Sequence, residues 1–197
     1  MNMNFFSPQS RANTNLKNKQ QYAMSMHTRR VMTPVVENVP VSAPVVNKVK
    51  WGEPTWYLFH TLSVKIKDAE FLRVRQDLLN NIYSICVNLP CPICADHAKE
   101  YLNAINFNTI QTKEDFQRLL YHFHNSVNER KGYPMFPWEE VHSKYSLAIT
   151  NNIIINFMGH YSEKSGNPKM SASDFLRNRL IGILKQWFND NIQSFHP

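Results

Sequence analysis

The sequence predicts an all-α fold: an antiparallel helical bundle with a C-terminal helical extension. Three observations carry that expectation. From Trp51 onward apolar residues recur at three- and four-residue steps; Pro90, Pro92, Gly132 and Pro134 punctuate the runs; and no convincing alternating strand pattern appears.

The elements follow in order. A first helix opens near Trp51 with Pro54 in its first turn, and Trp56, Phe59, His60 and Ser63 share one face. A second runs from about Glu70 to Asn88, with Leu72, Leu79, Ile82, Tyr83 and Cys86 as its apolar stripe, until Pro90 breaks it. Pro92 suits the first position of a third helix, in which Ile93, His97, Tyr101 and Ile105 recur. Thr112 to Asp115 resembles a capping box, with Asp in place of the usual Glu or Gln. It opens a fourth helix carrying Phe116, Leu119, Leu120, Phe123 and Val127, which Gly132 and then Pro134 close. Residues 140–160 and 172–192 also read as helical.

The N-terminal quarter reads differently. Residues 1–33 are rich in Asn, Gln, Ser and Lys without a sustained period, and Pro34, Pro40 and Pro44 then stand among valines. We expect a disordered basic tail and an extended linker over 1–50, a helical domain over 51–145, and a helical extension over 146–197. In that extension Leu147, Ile153, Ile154, Phe157, Leu176, Leu180, Ile183, Leu184 and Trp187 are expected to pack on the bundle or a partner. No acid, base and nucleophile cluster there.

Charge and composition exclude several classes. Residues 1–50 hold seven Lys and Arg against one acid, whereas residues 51–197 hold fifteen against fourteen. The basic excess therefore belongs to the tail, so no specific nucleic-acid binding is expected of the folded part. The longest apolar stretch, Ile153 to Met158, is too short to span a bilayer. The N-terminus lacks the apolar segment of a secretory signal. It looks superficially like a mitochondrial presequence, but has more Asn and Gln than Arg and no helical stripe. Five glycines without a phosphate-cradling loop argue against P-loop and Rossmann enzymes, and three cysteines cannot form a disulfide scaffold. A soluble protein of a reducing compartment is the expectation.

The sharpest chemical signal is Cys91-Pro92-Ile93-Cys94. A cysteine just before a helix lies near unpaired amides and the positive end of the macrodipole, which favour thiolate over thiol. Two cysteines at this spacing close a small disulfide that exchanges readily. The rival is zinc: Cys86, Cys91, Cys94 and His97 offer three sulfurs and an imidazole. Against it, Cys86 lies on the apolar stripe of the preceding helix, where a free cysteine commonly acts as a small hydrophobe. The spacing alone leaves both readings open.

Two further groupings supply context. Gly52-x3-Trp56-x3-His60 places an indole and an imidazole one turn apart, and His124-Asn125-Ser126-Val127-Asn128 does the same for His124 and Asn128. Met singly, such residues are ordinary members of a helical core. Together, on three helices beside a reactive disulfide, they suit a flat aromatic cofactor with polar edges.

GxxxWxxxH, then CPxC, then HNxVN, in this order and at these separations, resembles the Erv/ALR-type FAD-linked sulfhydryl oxidases. The resemblance covers about Trp51 to Tyr145. The CPxCxxH form, the Asn-rich composition and the added helices look most like versions encoded by large cytoplasmic DNA viruses. It implies a helical bundle holding FAD, host cytoplasm or the virion as location (the mitochondrial intermembrane space as alternative), and a homodimer. Trp56 and His60 would pack on the cofactor, within the motif that Gly52 opens. His124, Asn125 and Asn128 would contact its adenosine and phosphates, within the motif that includes Val127. His97 and Tyr145 would be further contacts. Cys94 would face the flavin and Cys91 would exchange with substrate, with O2 as acceptor and hydrogen peroxide as product.

Three departures qualify the match. Many relatives follow HNxVN with a basic pair and then Gly-Lys. Here Glu129, Arg130, Lys131, Gly132 and Tyr133 follow, so Tyr133 stands in place of that lysine, and Arg130 or Lys131 could compensate at the phosphates. The cysteines of the widely spaced structural disulfide are missing, and no second pair acts as a shuttle. A thioredoxin-like or small CxxC carrier is therefore the expected thiol substrate.

Overall fold

A computed structural model describes residues 50–164 and 168–197. The expected tail over 1–49 lies outside them. Seven α-helices are present among the described residues: α1 (Gly52–Lys65), α2 (Asp68–Val87), α3 (Pro92–Asn103), α4 (Lys113–Lys131), α5 (Glu139–Tyr145), α6 (Thr150–Tyr161) and α7 (Ser171–Asn191). The all-α expectation holds, and the one β-type pairing described is an isolated bridge between Ile66 and Phe195.

Helix ends follow local chemistry. The Thr112 hydroxyl accepts the Asp115 N–H while the Asp115 carboxylate accepts the Thr112 N–H, completing the capping box of α4. That helix ends on Gly132 in the left-handed region (φ 67°), whose N–H caps carbonyls of the last turn.

α1 is the central element, packed against α4, α5 and α6, while α2 packs against α3 and α7. One core joins Leu58 and Leu62 of α1, Leu78 of α2, Phe116 of α4, Phe157 of α6 and Leu184 of α7. Side chains of residues 146–197 thus share the core of the preceding helices. Val64, Phe136, Val141 and Tyr145 form a smaller cluster beneath α5.

Several expectations need correction. Leu79, Ile82 and Cys86 of the expected α2 stripe are buried, but Leu72 is exposed, and Phe71, Val74 and Leu78 carry the buried face through the first half of the helix. Ile93 is also exposed; α3 buries Ala95, Ala98 and Leu102. The helix expected over 140–160 is two helices, separated at Ser146–Ile149. Leu147, Leu176 and Ile183 are exposed, whereas Ile154, Phe157 and Leu184 are buried. No helix among the described residues is long and apolar enough to cross a membrane.

Candidate active site

Pro92 at the first position of α3 leaves Cys91 as its N-cap, in extended conformation. The Cys91 sulfur accepts the Cys94 N–H at 3.3 Å. It thereby occupies the place where free amides and the macrodipole favour negative charge. Cys91 and Cys94 are joined as a disulfide, their Cα atoms 5.2 Å apart.

Beside this pair opens a cleft walled mainly by α1, α3 and α4. Trp56, Phe59, Phe123 and Val127 supply apolar and aromatic surface, and Arg130 and Lys131 supply two cations. Cys94 belongs to the cleft wall and Cys91 does not. The two sulfurs of one disulfide therefore have different surroundings.

Behind the cleft lies a stack of rings. Trp56 stacks on His124 with centroids 4.1 Å apart and planes 12° from parallel. His124 Nδ1 and His60 Nε2 share a hydrogen bond of 3.0 Å, and the opposite side of the stack is Tyr145, 4.8 Å from His60. Phe136 packs against both imidazoles. Burial above all, then the charges of His124 and Lys144, lowers the His60 pKa to about 3. Burial and Lys144 lower that of His124 to about 4. Both rings are neutral near pH 7.

His60 is fully buried and its Nδ1 has no hydrogen-bond partner. If His124 donated to His60, that Nδ1 would be an orphaned N–H. If His60 Nε2–H donates to His124 Nδ1, the orphan is only a lone pair, the less costly case. We therefore assign the second arrangement, which leaves the remaining proton of His124 on Nε2.

Asn125 is engaged with the main chain. Its amide donates to the Phe136 carbonyl at 3.0 Å and its oxygen accepts the Phe136 N–H at 2.7 Å. This clamp holds Phe136 under the histidines. Asn128 is buried on the same helix, and its carbonyl accepts the Tyr133 N–H at the end of α4.

Of the residues singled out from sequence, Gly52, Trp56, Cys94, Val127 and Lys131 line the cleft. His124 backs Trp56 directly; His60, Tyr145 and Asn125 lie one layer deeper. His97 is half-buried on α3 and is not among the cleft-lining residues. Sequence reasoning missed Phe136 and Lys144, whose ammonium lies over the rings of Tyr57, Phe136 and Tyr145. An aromatic set between Met135 and Pro137, just past a helix-ending glycine, was the available signal.

The zinc reading gains no support. Two of its three sulfurs are bonded to each other, and Cys86 is buried with its thiol pKa pushed up by desolvation. No group of three His, Cys, Asp or Glu among the described residues could hold a metal ion.

The model of the Erv1 / Alr family matches residues 53–146. The FAD-linked sulfhydryl oxidase of African swine fever virus is 31% identical over 103 residues, spanning 52% of this chain and 86% of that protein. A putative FAD-linked sulfhydryl oxidase of Invertebrate iridescent virus 3 is 28% identical over 135 residues, 68% of this chain and 86% of the relative. The rice protein named FAD-linked sulfhydryl oxidase ERV1 is 32% identical over 105 residues, 52% of this chain and 53% of its own length. No solved structure matches the chain significantly.

Proposed function

The chain belongs to the Erv1 / Alr family, and from that premise we propose that it is an FAD-dependent thiol oxidase that forms disulfides in protein substrates through Cys91 and Cys94. One observation carries the reading: a disulfide with one sulfur on the wall of an aromatic cleft and its partner sulfur outside that wall.

FAD suits what the cleft offers. Trp56, Phe59 and Phe123 are flat or apolar surfaces for a ring system, with Val127 beside them, and Gly52 adds no side chain at the mouth. Arg130 and Lys131 are two cations for a diphosphate, which supports their replacing the missing lysine at Tyr133. His124 can offer its Nε2–H, in our assignment, to an acceptor on the cofactor. His60, Asn125 and Tyr145 hold that imidazole from behind, with Asn128 at the end of the same helix. His97, one turn beyond Cys94, is a further candidate contact.

In this mechanism a substrate thiolate attacks the Cys91 sulfur. The Cys91–Cys94 bond breaks, a substrate–Cys91 disulfide forms, and Cys94 leaves as thiolate. The substrate's second thiolate attacks the substrate sulfur of that mixed disulfide. The substrate leaves oxidised, and Cys91 departs as a thiolate stabilised at the α3 N-terminus. Bound FAD supplies the two-electron sink that restores the Cys91–Cys94 disulfide, with O2 as final acceptor and hydrogen peroxide as product. Trp56, Phe59 and Phe123 keep water from the cleft beside Cys94.

Cys86, the third cysteine, is buried, so no second dithiol of this sequence is available to relay electrons. A thioredoxin-like or small CxxC protein is the substrate we infer. The viral relatives favour a viral setting, in host cytoplasm or virion, and the family resemblance carries with it a homodimer.

The test is oxidation of a dithiol carrier in air, with thiol loss and peroxide measured together. Equal molar amounts of disulfide and peroxide are expected. Cys91→Ser should abolish turnover of protein thiols, and Cys94→Ser should abolish flavin reduction as well. Flavin reduction at the normal rate in Cys94→Ser would refute the assigned roles.

A further inference from the structure

The redox turn begins where α2 ends, and that junction is held from outside the family-matched segment. The last carbonyls of a helix lack intrahelical donors and must find others. At the end of α2 the Asn88 side chain donates to the Ser84 carbonyl at 2.8 Å, and the Asn88 N–H to the Ile85 carbonyl at 3.2 Å. The Tyr161 hydroxyl, from α6, lies 2.9 Å from the Ile85 carbonyl and 2.9 Å from the Asn88 carbonyl.

Tyr161 is fully buried, with its ring stacked on Phe157. Burial pushes its hydroxyl pKa up, so the group stays protonated and shares its one O–H between the two carbonyls. Beyond the Asn88 carbonyl the chain runs through Leu89, which lines the cleft, and Pro90 to Cys91. Pro90 fixes one backbone torsion of that short link. The orientation of the Asn88–Leu89 peptide therefore sets where Cys91 stands relative to Cys94.

We propose that Tyr161 is a positioning residue for the redox centre: its hydroxyl anchors the 88–91 turn and so holds Cys91 at closing distance from Cys94. The inference rests on the thiol oxidase reading of that pair. It gives α6, which lies wholly beyond the family-matched segment, a part in the chemistry without contact with substrate or cofactor.

The consequence is a redox equilibrium. Closing the disulfide against reduced and oxidised dithiothreitol exchanges two protein thiols for one protein disulfide, while the reagent disulfide becomes two thiols. Loosening the turn lowers the effective concentration of Cys91 at Cys94 and favours the open dithiol. Removing the anchor, by Tyr161→Phe, is expected to lower the closing constant three- to tenfold; tenfold is about 30 mV toward more oxidising potential.

The experiment equilibrates the full-length protein across dithiothreitol ratios without air, traps thiols with an alkylating agent, and counts the modified cysteines by mass. Ile154→Val, a core change in the same helix, serves as control and should lower the melting temperature without moving the redox midpoint. A Tyr161→Phe midpoint that moves as stated, beyond that of the control, supports the proposal. A Tyr161→Phe midpoint equal to wild type overturns it. Should Tyr161→Phe not fold, Phe157→Leu, which removes the ring stacked on Tyr161, is measured in the same way, and an unchanged midpoint there overturns it. Failure of wild type to turn over dithiols would instead refute the oxidase reading, and the two failures are read in separate assays.

Discussion

His60 and His124 are the residues whose physics is least like that of their free side chains. Folded, they have pKa values near 3 and 4; unfolded, both titrate at about 6.5. Below that pH the unfolded chain binds more protons than the folded one. Stability from these neutral rings is therefore complete above about pH 6.5 and is lost as pH falls through the folded values. For the fully buried His60 the loss by pH 5 is about 2 kcal/mol. Thermal melts between pH 7.5 and 5 should show a steeper decline in wild type than in His60→Phe; identical slopes would contradict the assigned burial effect. Asn125→Ala should cost about 2 kcal/mol or more, because two main-chain groups of Phe136 lose their partner. Urea unfolding measures that. The identities of Trp56, His60 and His124 were legible from their spacing on helices. Their layering was not: no periodicity says that Trp56 faces the cleft while His60 sits behind His124. The motif marks Asn125 as a cofactor contact; that its side chain also clamps a main-chain segment eleven residues on is not legible in it.

Helices α3 and α4 show local chemistry deciding the structure. Thr112→Ala should remove about 1 kcal/mol through the lost cap, seen as a lower urea midpoint with an unchanged slope. Gly132→Ala should cost about 1 kcal/mol too, from the left-handed φ alone, since beyond its chain neighbours an added Cβ meets nothing within 4 Å. Both helix ends were legible because Thr, Asp and Gly act within a few residues of themselves. The break between α5 and α6 was not. No proline or glycine marks it. Continuing α5 by one turn would direct the apolar face to Ile149, which is exposed; the break instead brings Ile154, Phe157 and Tyr161 onto the core. Thr150 donates to the His196 carbonyl at 2.6 Å at the restart. Tertiary partners won over local continuity there, and in α2 they leave Leu72 toward solvent while Leu79, Ile82 and Cys86 face the core as their period predicts.

The helical unit described is closed by residues 194–196. Lys67 N–H donates to the Ser194 carbonyl and His196 N–H to the Lys65 carbonyl, at 2.9 and 2.8 Å, across the Ile66–Phe195 bridge. Phe195 is buried in the main core. Phe195→Ala should cost about 3 kcal/mol and lower the melting temperature of the whole chain in one cooperative transition. Two separate transitions would show that the C-terminal segment is an independent unit. Such long-range closure leaves no trace in a local sequence pattern, whereas the all-helical class did, through period and punctuation. On the proposed reading the cleft beside Cys94 holds a flavin that takes electrons from that pair. A visible absorption spectrum of the purified full-length protein, before and after dithiothreitol without air and again after air is admitted, tests it most directly. A yellow flavin spectrum that bleaches with the dithiol and returns with air, forming peroxide, is the predicted result. A colourless protein, or a flavin that dithiothreitol cannot bleach, would contradict the account.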